Sequence, residues 1–581
     1  MYAELNQTSR DRMLEIFGKF SHRPSQDQLT ALTAIQECLT DILQGRASRC
    51  YYLSSLDPGT GKTTAIVSWL KAYMSTCAES YPHGVLICVD RLDEIQRYVD
   101  DCNLPEDSYA VLAGKSEVHL NALGLGSTRT NRALVLFTTK EQIRRRGQTS
   151  DYDTIGVFQY NNMPRLIKVW DESLSIGKDI VINPFDFGRL FTLLATESEE
   201  LVRMLQRIMS DIMQCTTGDF YSIPLLPELS REFTESAAFK RSSDRDLVEL
   251  LWRISGQPVT VRRYRNTQLI IDCVQSIPSD FPPCLVLDAS GRIKGTYTVQ
   301  KRKLSNLVEL PYSNKSYRNL DVYVWRRGGG KEIIKSLKDI TPELIKVLMT
   351  YPDEEFLFLL HKDHVEAIQG MLTQHLPPDT AHRVKFCTHG QATATNKYCD
   401  IRNIITLSAY QYPDPTYDAM ARAAGLLTTK GGDFPTQEEI SAVKRGEISS
   451  NILQGVTRSK VRVSEGDTCP PCRLWLIAHP TTGLERELPT IFPDCVIQEW
   501  ETLGFTLTKQ QQAALDKVTS LVTAGHSAIP CADIRKTLGK SGMTPSNFKR
   551  ILEAEPFKAA LASIKVDCIR RATGLYFQVS N

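Results

Sequence analysis

The sequence predicts an α/β protein: two tandem parallel-sheet domains facing one another across a cleft, a mostly helical insertion in the first, and a small C-terminal domain of helices and a hairpin. Three observations predict it. Short apolar runs alternate with helical patterns in two blocks, residues 23–315 and 316–500, and such alternation builds a parallel sheet covered by helices. Polar residues gather where the apolar runs end, which is where such sheets place their ligands. The charge balance changes near residue 505. From Phe505 to Asn581 eleven basic residues meet five acidic ones, whereas the rest of the chain carries 58 basic and 62 acidic residues.

With 581 residues, 42% of them apolar, the chain is long enough for three or four ordinary cores. No apolar run reaches the length of a membrane span. The polar stretch Met1 to Arg12 lacks the core of a signal peptide, and the fifteen cysteines are scattered and odd in number. Reduced thiols in a cytoplasm are expected. Cys469 and Cys472 form the one Cys-x-x-Cys, and no second ligand pair stands at metal-binding spacing. A tight turn between strands is the reading.

The elements follow in order. Residues 1–22 form an N-terminal helical segment. Cys50 to Leu53 reads as a buried strand, then a glycine-rich turn, then a helix opening at Ala65-Ile66-Val67. Val85–Val89, Ala133–Phe137, Leu166–Trp170 and Cys284–Leu287 read as further strands. Between the last two, about 178–275, much of the pattern is helical and reads as an insertion. The second block supplies strands at Asp321–Trp325, Phe356–Leu360, Ile404–Leu407 and Leu474–Ile477. Residues 505–581 read as three helices and a hairpin. Thr544-Pro545 starts the third helix, because a cap followed by proline suits a helix N-terminus. No fixed-period repeat is present.

The turn Asp57-Pro58-Gly59-Thr60-Gly61-Lys62-Thr63-Thr64 carries the most chemistry. Strand, glycine-rich loop and helix together make a phosphate cradle of backbone N–H groups. Lys62 reaches the β- and γ-phosphates, and the Thr63 hydroxyl holds Mg²⁺. Asp171-Glu172 at the end of an apolar strand is the expected partner: Asp171 orients Mg²⁺ and Glu172 polarises the attacking water. Gln26 and Gln28, upstream of the loop, can each offer adenine one donor and one acceptor. From the second block, Gln454-Gly455-Val456-Thr457-Arg458-Ser459-Lys460-Val461-Arg462 presents Arg458, with Arg462 as the second choice, to neutralise charge on the departing phosphate. ATP and Mg²⁺ are the cofactors these residues imply.

Taken in order, Gln28, the Gly59–Thr63 loop, Asp171-Glu172, Asp288-Ala289-Ser290-Gly291, Thr388-His389-Gly390 through Asn396, and Gln454 to Arg462 resemble the motif series of superfamily 1 and 2 helicases, over residues 20–480. The resemblance implies two RecA-like domains, ATP hydrolysis coupled to DNA movement, and Gln454 on the nucleotide. It implies that Asp288 to Gly291 couple the nucleotide to DNA, and that Thr138, Thr139, Lys140, Thr388, His389 and Asn396 touch one strand or sense the nucleotide. Val456 to Lys460 leans to superfamily 1, Arg23-Pro24-Ser25-Gln26 to superfamily 2. Leu56 stands where the strict loop has glycine, and Ser290 where threonine is usual.

The basic C-terminal module resembles a winged helix. Ser546, Asn547, Lys549 and Arg550 would face the groove or phosphates, and Arg570 and Arg571 would sit on the wing. The function expected is an ATP-dependent DNA helicase or translocase acting on single-stranded or forked DNA, in replication or maintenance of a prokaryotic or mobile element, with a replication or mobile-element protein as a possible partner and no membrane. An AAA+-like initiator or loader would instead carry a small helical lid after its first sheet. A double-stranded DNA translocase subunit of a restriction or defence complex would share the motor.

Overall fold

A computed structural model describes residues 1–581 apart from 21, 81, 148–149, 196–197, 228, 231–232, 234–240, 328–336, 389–396, 408, 503–506, 539–542, 572–573 and 580–581. Seven strands form the first sheet: β1 (Tyr51–Ser54), β2 (Val85–Val89), β3 (Tyr109–Leu112), β4 (Val135–Thr139), β5 (Ile167–Asp171), β6 (Cys284–Leu287) and β7 (Leu307–Glu309). Their order is β7-β1-β6-β5-β2-β4-β3, and every neighbouring pair is parallel. The sheet is covered on both faces, which is why its inner strands are continuous apolar runs rather than alternating ones. On one face Ile87, Val135 and Val169 meet Leu32 and Trp69 from the helices Gln26–Leu43 and Lys62–Thr76. On the other, Leu86, Trp170 and Val286 pack with Tyr297.

The N-terminal helix Tyr2–Lys19 buries Leu5, Ser9, Met13 and Phe17, one residue per turn, against this unit. The chain leaves β1 and re-enters the sheet at β2 beyond β6 and β5. The C-terminal ends of β1, β6 and β5 therefore converge on one crevice, the usual ligand position of an open parallel sheet.

The second sheet holds β8 (Leu320–Trp325), β9 (Phe356–Leu360), β10 (Val384–Thr388), β11 (Asn403–Thr406), β12 (Cys472–Ile477) and β13 (Val496–Glu499) in the order β10-β9-β11-β12-β8-β13, again all parallel. The chain is thus an α/β protein with two tandem RecA-like parallel-sheet units. Four strands additional to the apolar runs read from the sequence, β3, β7, β10 and β13, are the four sheet edges.

The insertion places the helices Gly188–Ala195, Glu199–Gln214 and Ser242–Ile254 on a four-stranded sheet of Gly177–Ile182, Thr267–Gln275, Pro258–Tyr264 and Phe220–Ser222, antiparallel throughout. This sheet is an addition to the helical pattern read from the sequence. The helix Asp414–Gly425 of the second unit lies on it, with Arg262 Nε 2.9 Å from Asp418 Oδ2 and the hydroxyls of Thr260 and Thr429 3.0 Å apart. Beside it the long helix Gln437–Val456 meets the helix Gly295–Leu304 so closely that a Cβ on Gly446 would lie 2.6 Å from the Gly295 nitrogen.

In the C-terminal module the helices Lys509–Thr523, Cys531–Thr537, Pro545–Glu553 and Glu555–Ser563 enclose a core with an antiparallel sheet of Ala528–Pro530, Gly574–Val579 and Val566–Arg571. Thr544 caps the third helix through the Asn547 N–H, and Pro545 is its first residue. The fourth helix and the short first strand are additions to the pattern read from sequence. Among the described residues no helix is long and apolar enough to cross a membrane.

Candidate active site

The loop after β1 is shaped by close backbone approaches. Gly59 and Gly61 have φ of 81° and 108°, conformations that a side chain would strain. A Cβ on Gly59 would overlap the carbonyl oxygen of Arg462, and one on Gly61 would lie 2.5 Å from Phe17 Cζ. Leu56 is fully buried in the first unit's core, so the missing first glycine is replaced by an anchor. Thr60 Oγ1 donates to the Asp57 carbonyl at 2.9 Å and closes the turn. The helix Lys62–Thr76 starts at its end without a side-chain cap at Gly61, and its first residues Lys62, Thr63 and Thr64 line the crevice, the position of an anion-binding helix N-terminus. Lys62 Nζ donates to the carbonyls of Leu56 and, at 3.1 Å, Asp57. Burial pushes this lysine down to about 8, against the pull of Asp57, Asp171 and Asp288.

The acids stand on the neighbouring strand ends. Asp171 closes β5, and the buried Tyr98 hydroxyl donates to its Oδ2 at 2.7 Å. Glu172 follows with φ of 69°, a left-handed position for a residue with a side chain, held by its N–H on the Leu287 carbonyl at 2.9 Å. Such strain persists where the surroundings fix it, and it gathers at functional sites. Burial raises the Glu172 carboxyl; Asp171 and Asp90 add to the rise, while Lys140 and Arg458 oppose it. After β6, Asp288 accepts from Ser290 N at 2.8 Å, Ser290 Oγ at 2.6 Å and Tyr297 Oη at 2.9 Å. Burial alone would raise Asp288, but Lys294, Ser290 and Tyr297 outweigh it and hold the carboxyl below its ordinary value. Serine thus does here the local work expected of threonine.

Across the crevice the helix Gln437–Val456 ends, and Thr457, Arg458 and the turn Lys460–Arg462 follow. Arg458 is buried, and its Nε has no hydrogen-bond partner among the described residues. Burial lowers Arg458 to about 10 and lowers Arg462 as well, with Glu172 pulling both the other way. The two sides enclose a cavity of about 300 Å³. Pro58, Gly59, Gly61, Lys62, Thr63, Thr64, Asp171, Glu172, Gln454, Arg458 and Arg462, separated by up to four hundred residues in the chain, all line it, as does Asp288.

Three charged lining residues were not expected: Glu94, Arg97 and Asp101 of the helix Leu92–Cys102. Their spacing of three and four puts them on one helix face, the signal that could have found them. Burial, with Glu172 and Asp171 nearby, pushes Glu94 up to about 7. The donor set fits a nucleoside triphosphate with its magnesium ion: a loop of N–H groups, four cationic side chains, orphaned guanidinium nitrogen, and a hydroxyl beside a carboxylate.

Other expected residues lie elsewhere. Gln26 is exposed; Gln28 is fully buried, its Oε1 accepting from Ser25 N at 3.2 Å in a capping box while Nε2 has no partner among the described residues, and neither lines the cavity. The acceptor that adenine recognition would use is committed to the helix cap. Thr138 is buried with Oγ1 on the Leu112 carbonyl at 2.7 Å, and Lys140 is buried with Nζ 2.7 Å from Asp90 Oδ2. Both are buried with their polar ends on protein partners that the neighbouring strand ends supply. Thr139 stands at the N-cap position of the helix Lys140–Arg146 without a side-chain capping bond and is half-buried, as is Thr388 at the end of β10. His389 and Asn396 lie outside the described residues. Ser546, Asn547, Lys549, Arg550, Arg570 and Arg571 are exposed on the C-terminal module. Cys469 and Cys472 are buried free thiols before and at the start of β12.

No protein-family model and no curated protein matches the chain. Among solved structures it is similar to S. tokodaii Xpd4, with 11% identity and a TM-score of 0.45 over 82% of this chain and 100% of that one. It is similar also to S. cerevisiae Dbp5 bound to RNA and ADP BeF3, with 11% identity and a TM-score of 0.35 over 87% and 98%. Mycobacterium smegmatis helicase Lhr bound to ssDNA and AMP-PNP gives 11% identity and a TM-score of 0.34 over 96% of this chain and 60% of that one. Likeness at this level carries no chemistry; the lining side chains have to.

Proposed function

We propose that this protein is an ATP-dependent DNA helicase or translocase. One observation carries the reading. A single cavity between the two sheets holds the loop lysine and the strand-end carboxylates of one unit and two arginines of the other. A site completed by both units makes hydrolysis depend on their relative position, and that dependence is what a motor needs.

In this reading the loop N–H groups and Lys62 bind the phosphates, and Thr63 and Asp171 are the residues that hold Mg²⁺. The ion supplies charge neutralisation at the transferring phosphoryl group. Glu172, whose carboxyl is already raised, takes the proton of the attacking water. Arg458 and Arg462 stabilise the charge that builds up as the phosphate departs. Tyr98 fixes Asp171 in orientation, and the Asp288–Ser290–Tyr297 network carries a change in the crevice to the back of the sheet. Gln454 faces the nucleotide beside Thr457. The exposed basic helix and wing of the C-terminal module, read as a winged helix, bind DNA phosphates. The six-stranded second sheet stands where an initiator of the AAA+ type would carry a helical lid, and this favours the motor.

The test is steady-state ATPase of the whole chain alone, then with single-stranded DNA, duplex DNA and RNA, beside Lys62→Ala. Strong stimulation by single-stranded DNA, abolished in the variant, is expected. Stimulation by duplex alone would move the reading to a double-stranded translocase, and by RNA alone to an RNA motor. A wild-type protein without ATPase in every case would overturn it.

A further inference from the structure

The cavity contains one cation that none of the motifs assigns. Lys62 is engaged by loop carbonyls, and Arg458 and Arg462 arrive from the second unit. The fourth, Arg97, belongs to the same unit as the phosphate loop. It stands in the middle of the helix Leu92–Cys102, on the face that carries Glu94 and Asp101 to the cavity wall. The position of that helix is fixed, because Tyr98, its next residue, is fully buried and bonded to Asp171 at 2.7 Å. Arg97 is thereby held at the Asp171–Glu172 end of the crevice, where the terminal phosphate of a bound triphosphate would lie. Its Nε is buried without a hydrogen-bond partner among the described residues. A buried guanidinium nitrogen left unsatisfied costs free energy that a phosphate oxygen would recover.

Geometry therefore gives the two arginine sources different duties. Arg458 and Arg462 reach the site only while the second unit is docked on the first. Arg97 shares a rigid sheet unit with the loop and stays when the units part. We propose that Arg97 binds the terminal phosphate from the loop's own side, so that the first unit alone distinguishes a nucleoside triphosphate from a diphosphate. This rests on the nucleotide reading of the cavity. Burial raises the Glu94 and Asp101 carboxyls on the same face and the Arg97 charge opposes that rise, while Arg97 adds to the fall that burial imposes on Arg462.

The test is equilibrium binding of a non-hydrolysable ATP analogue and of ADP to the full chain without nucleic acid, for wild type, Arg97→Ala, Arg97→Lys and Lys62→Ala. Arg97→Ala should weaken the ATP analogue about tenfold and ADP less than about twofold. Arg97→Lys should fall between, since one ammonium replaces charge but not the planar fork. Equal loss for both nucleotides, or no loss for either, would overturn the proposal while leaving the nucleotide reading intact, provided that Lys62→Ala loses both. A wild-type protein that binds neither nucleotide would overturn the nucleotide reading and Arg97 with it. Should Arg97→Ala not fold, Arg97→Lys decides: parity with wild type for both nucleotides sinks the assignment.

Discussion

Arg292 Nη2 lies 2.9 Å from Asp57 Oδ1 and 2.9 Å from the carbonyl oxygen of Ile491. Asp57 opens the phosphate loop, Arg292 follows the Asp288–Gly291 turn, and Ile491 ends a helix of the second unit. One guanidinium so joins the loop, the strand-end network and the opposite side of the cleft. The second oxygen of Asp57 accepts the Lys315 N–H at 3.1 Å, from the segment that leads into β8. Asp57 is only 1% exposed, and a buried carboxylate with these partners acts as a fixed pivot for the loop.

Removing it should be expensive. Asp57→Ala leaves a buried guanidinium without its countercharge, a loss of about 3 kcal/mol by analogy with other broken buried pairs. Asp57→Asn keeps an acceptor and should lose less. Urea unfolding of both variants checks the order; a wild-type midpoint for Asp57→Ala would show that the pivot contributes nothing.

Arg458 should separate binding from turnover. With its side chain buried against the cavity and Nε unpaired, Arg458→Ala is expected to keep nucleotide affinity within about threefold while turnover drops by about 10³. Arg458→Lys should recover little, because the planar fork is lost. Single-turnover hydrolysis beside equilibrium binding distinguishes this from a role in affinity, which would move both together.

Gly446 and Gly295 set how closely the second unit can dock. A Cβ on Gly446 meets the Gly295 nitrogen and the Ile293 carbonyl oxygen, both at 2.6 Å, and backbone cannot step aside as a side chain can. Gly446→Ala should cost about 1–3 kcal/mol and push away the helix that ends beside Arg458. Nucleic-acid-stimulated ATPase should fall even where melting shows a folded protein. Full stimulation in the variant would mean that the contact yields without consequence for the site.

How much of this was legible in the sequence follows from where each residue sits. The inner strands were readable because burial on both faces demands unbroken apolar runs such as Val85–Val89 and Phe356–Leu360. The edge strands β7 and β13 were not. β13 is exposed along its length, and β7 buries only Leu307, so nothing forces an apolar pattern on them. Gly59, Lys62, Asp171, Glu172 and Arg458 were readable because loop geometry and strand-end position constrain residue type. Arg97 was hidden because a lone arginine in a helix with Asp93, Glu94, Asp100 and Asp101 looks like a solvated face, and only the fold shows which side meets the crevice. Lys140 misled for the opposite reason: it follows a strand end, as a ligand should, yet Asp90 holds it inside.

Lys315 gives a pH test. Its Nζ donates to the carbonyls of Val461, Arg462 and Val463 at 2.9, 2.9 and 2.7 Å. Burial pushes its ammonium from 10.5 down to about 8, with Cys469 and Asp57 opposing. Between those values the unfolded chain binds the proton that the folded one has lost, so this group's contribution to stability rises with pH. Lys315→Met lacks it. Lost hydrogen bonds set the gap between wild type and variant at pH 7; from pH 8 to 10 the gap should widen by roughly 1.4 kcal/mol per unit at most. A constant or shrinking gap in unfolding free energy would contradict the assigned direction.

The C-terminal module carries the last prediction. Lys549 and Arg550 are exposed on the helix Pro545–Glu553, with Lys549 only loosely paired, 3.6 Å from Glu553 at one helical turn. An exposed pair of that kind costs little to break, so the ammonium is available to a phosphate. If the helix lies along DNA, each contact releases condensed counterions, and log affinity falls against log salt by about 0.9 per phosphate neutralised on duplex and about 0.7 on single strands. Replacing both residues by alanine should weaken binding and flatten that slope by between about 1.4 and 1.8, and the value tells which form of DNA the module holds. The ATPase of the variant without nucleic acid should be unchanged, because neither residue lines the cavity. An unaltered slope together with lower basal ATPase would make the module a brace for the motor and leave DNA binding to the two sheet units.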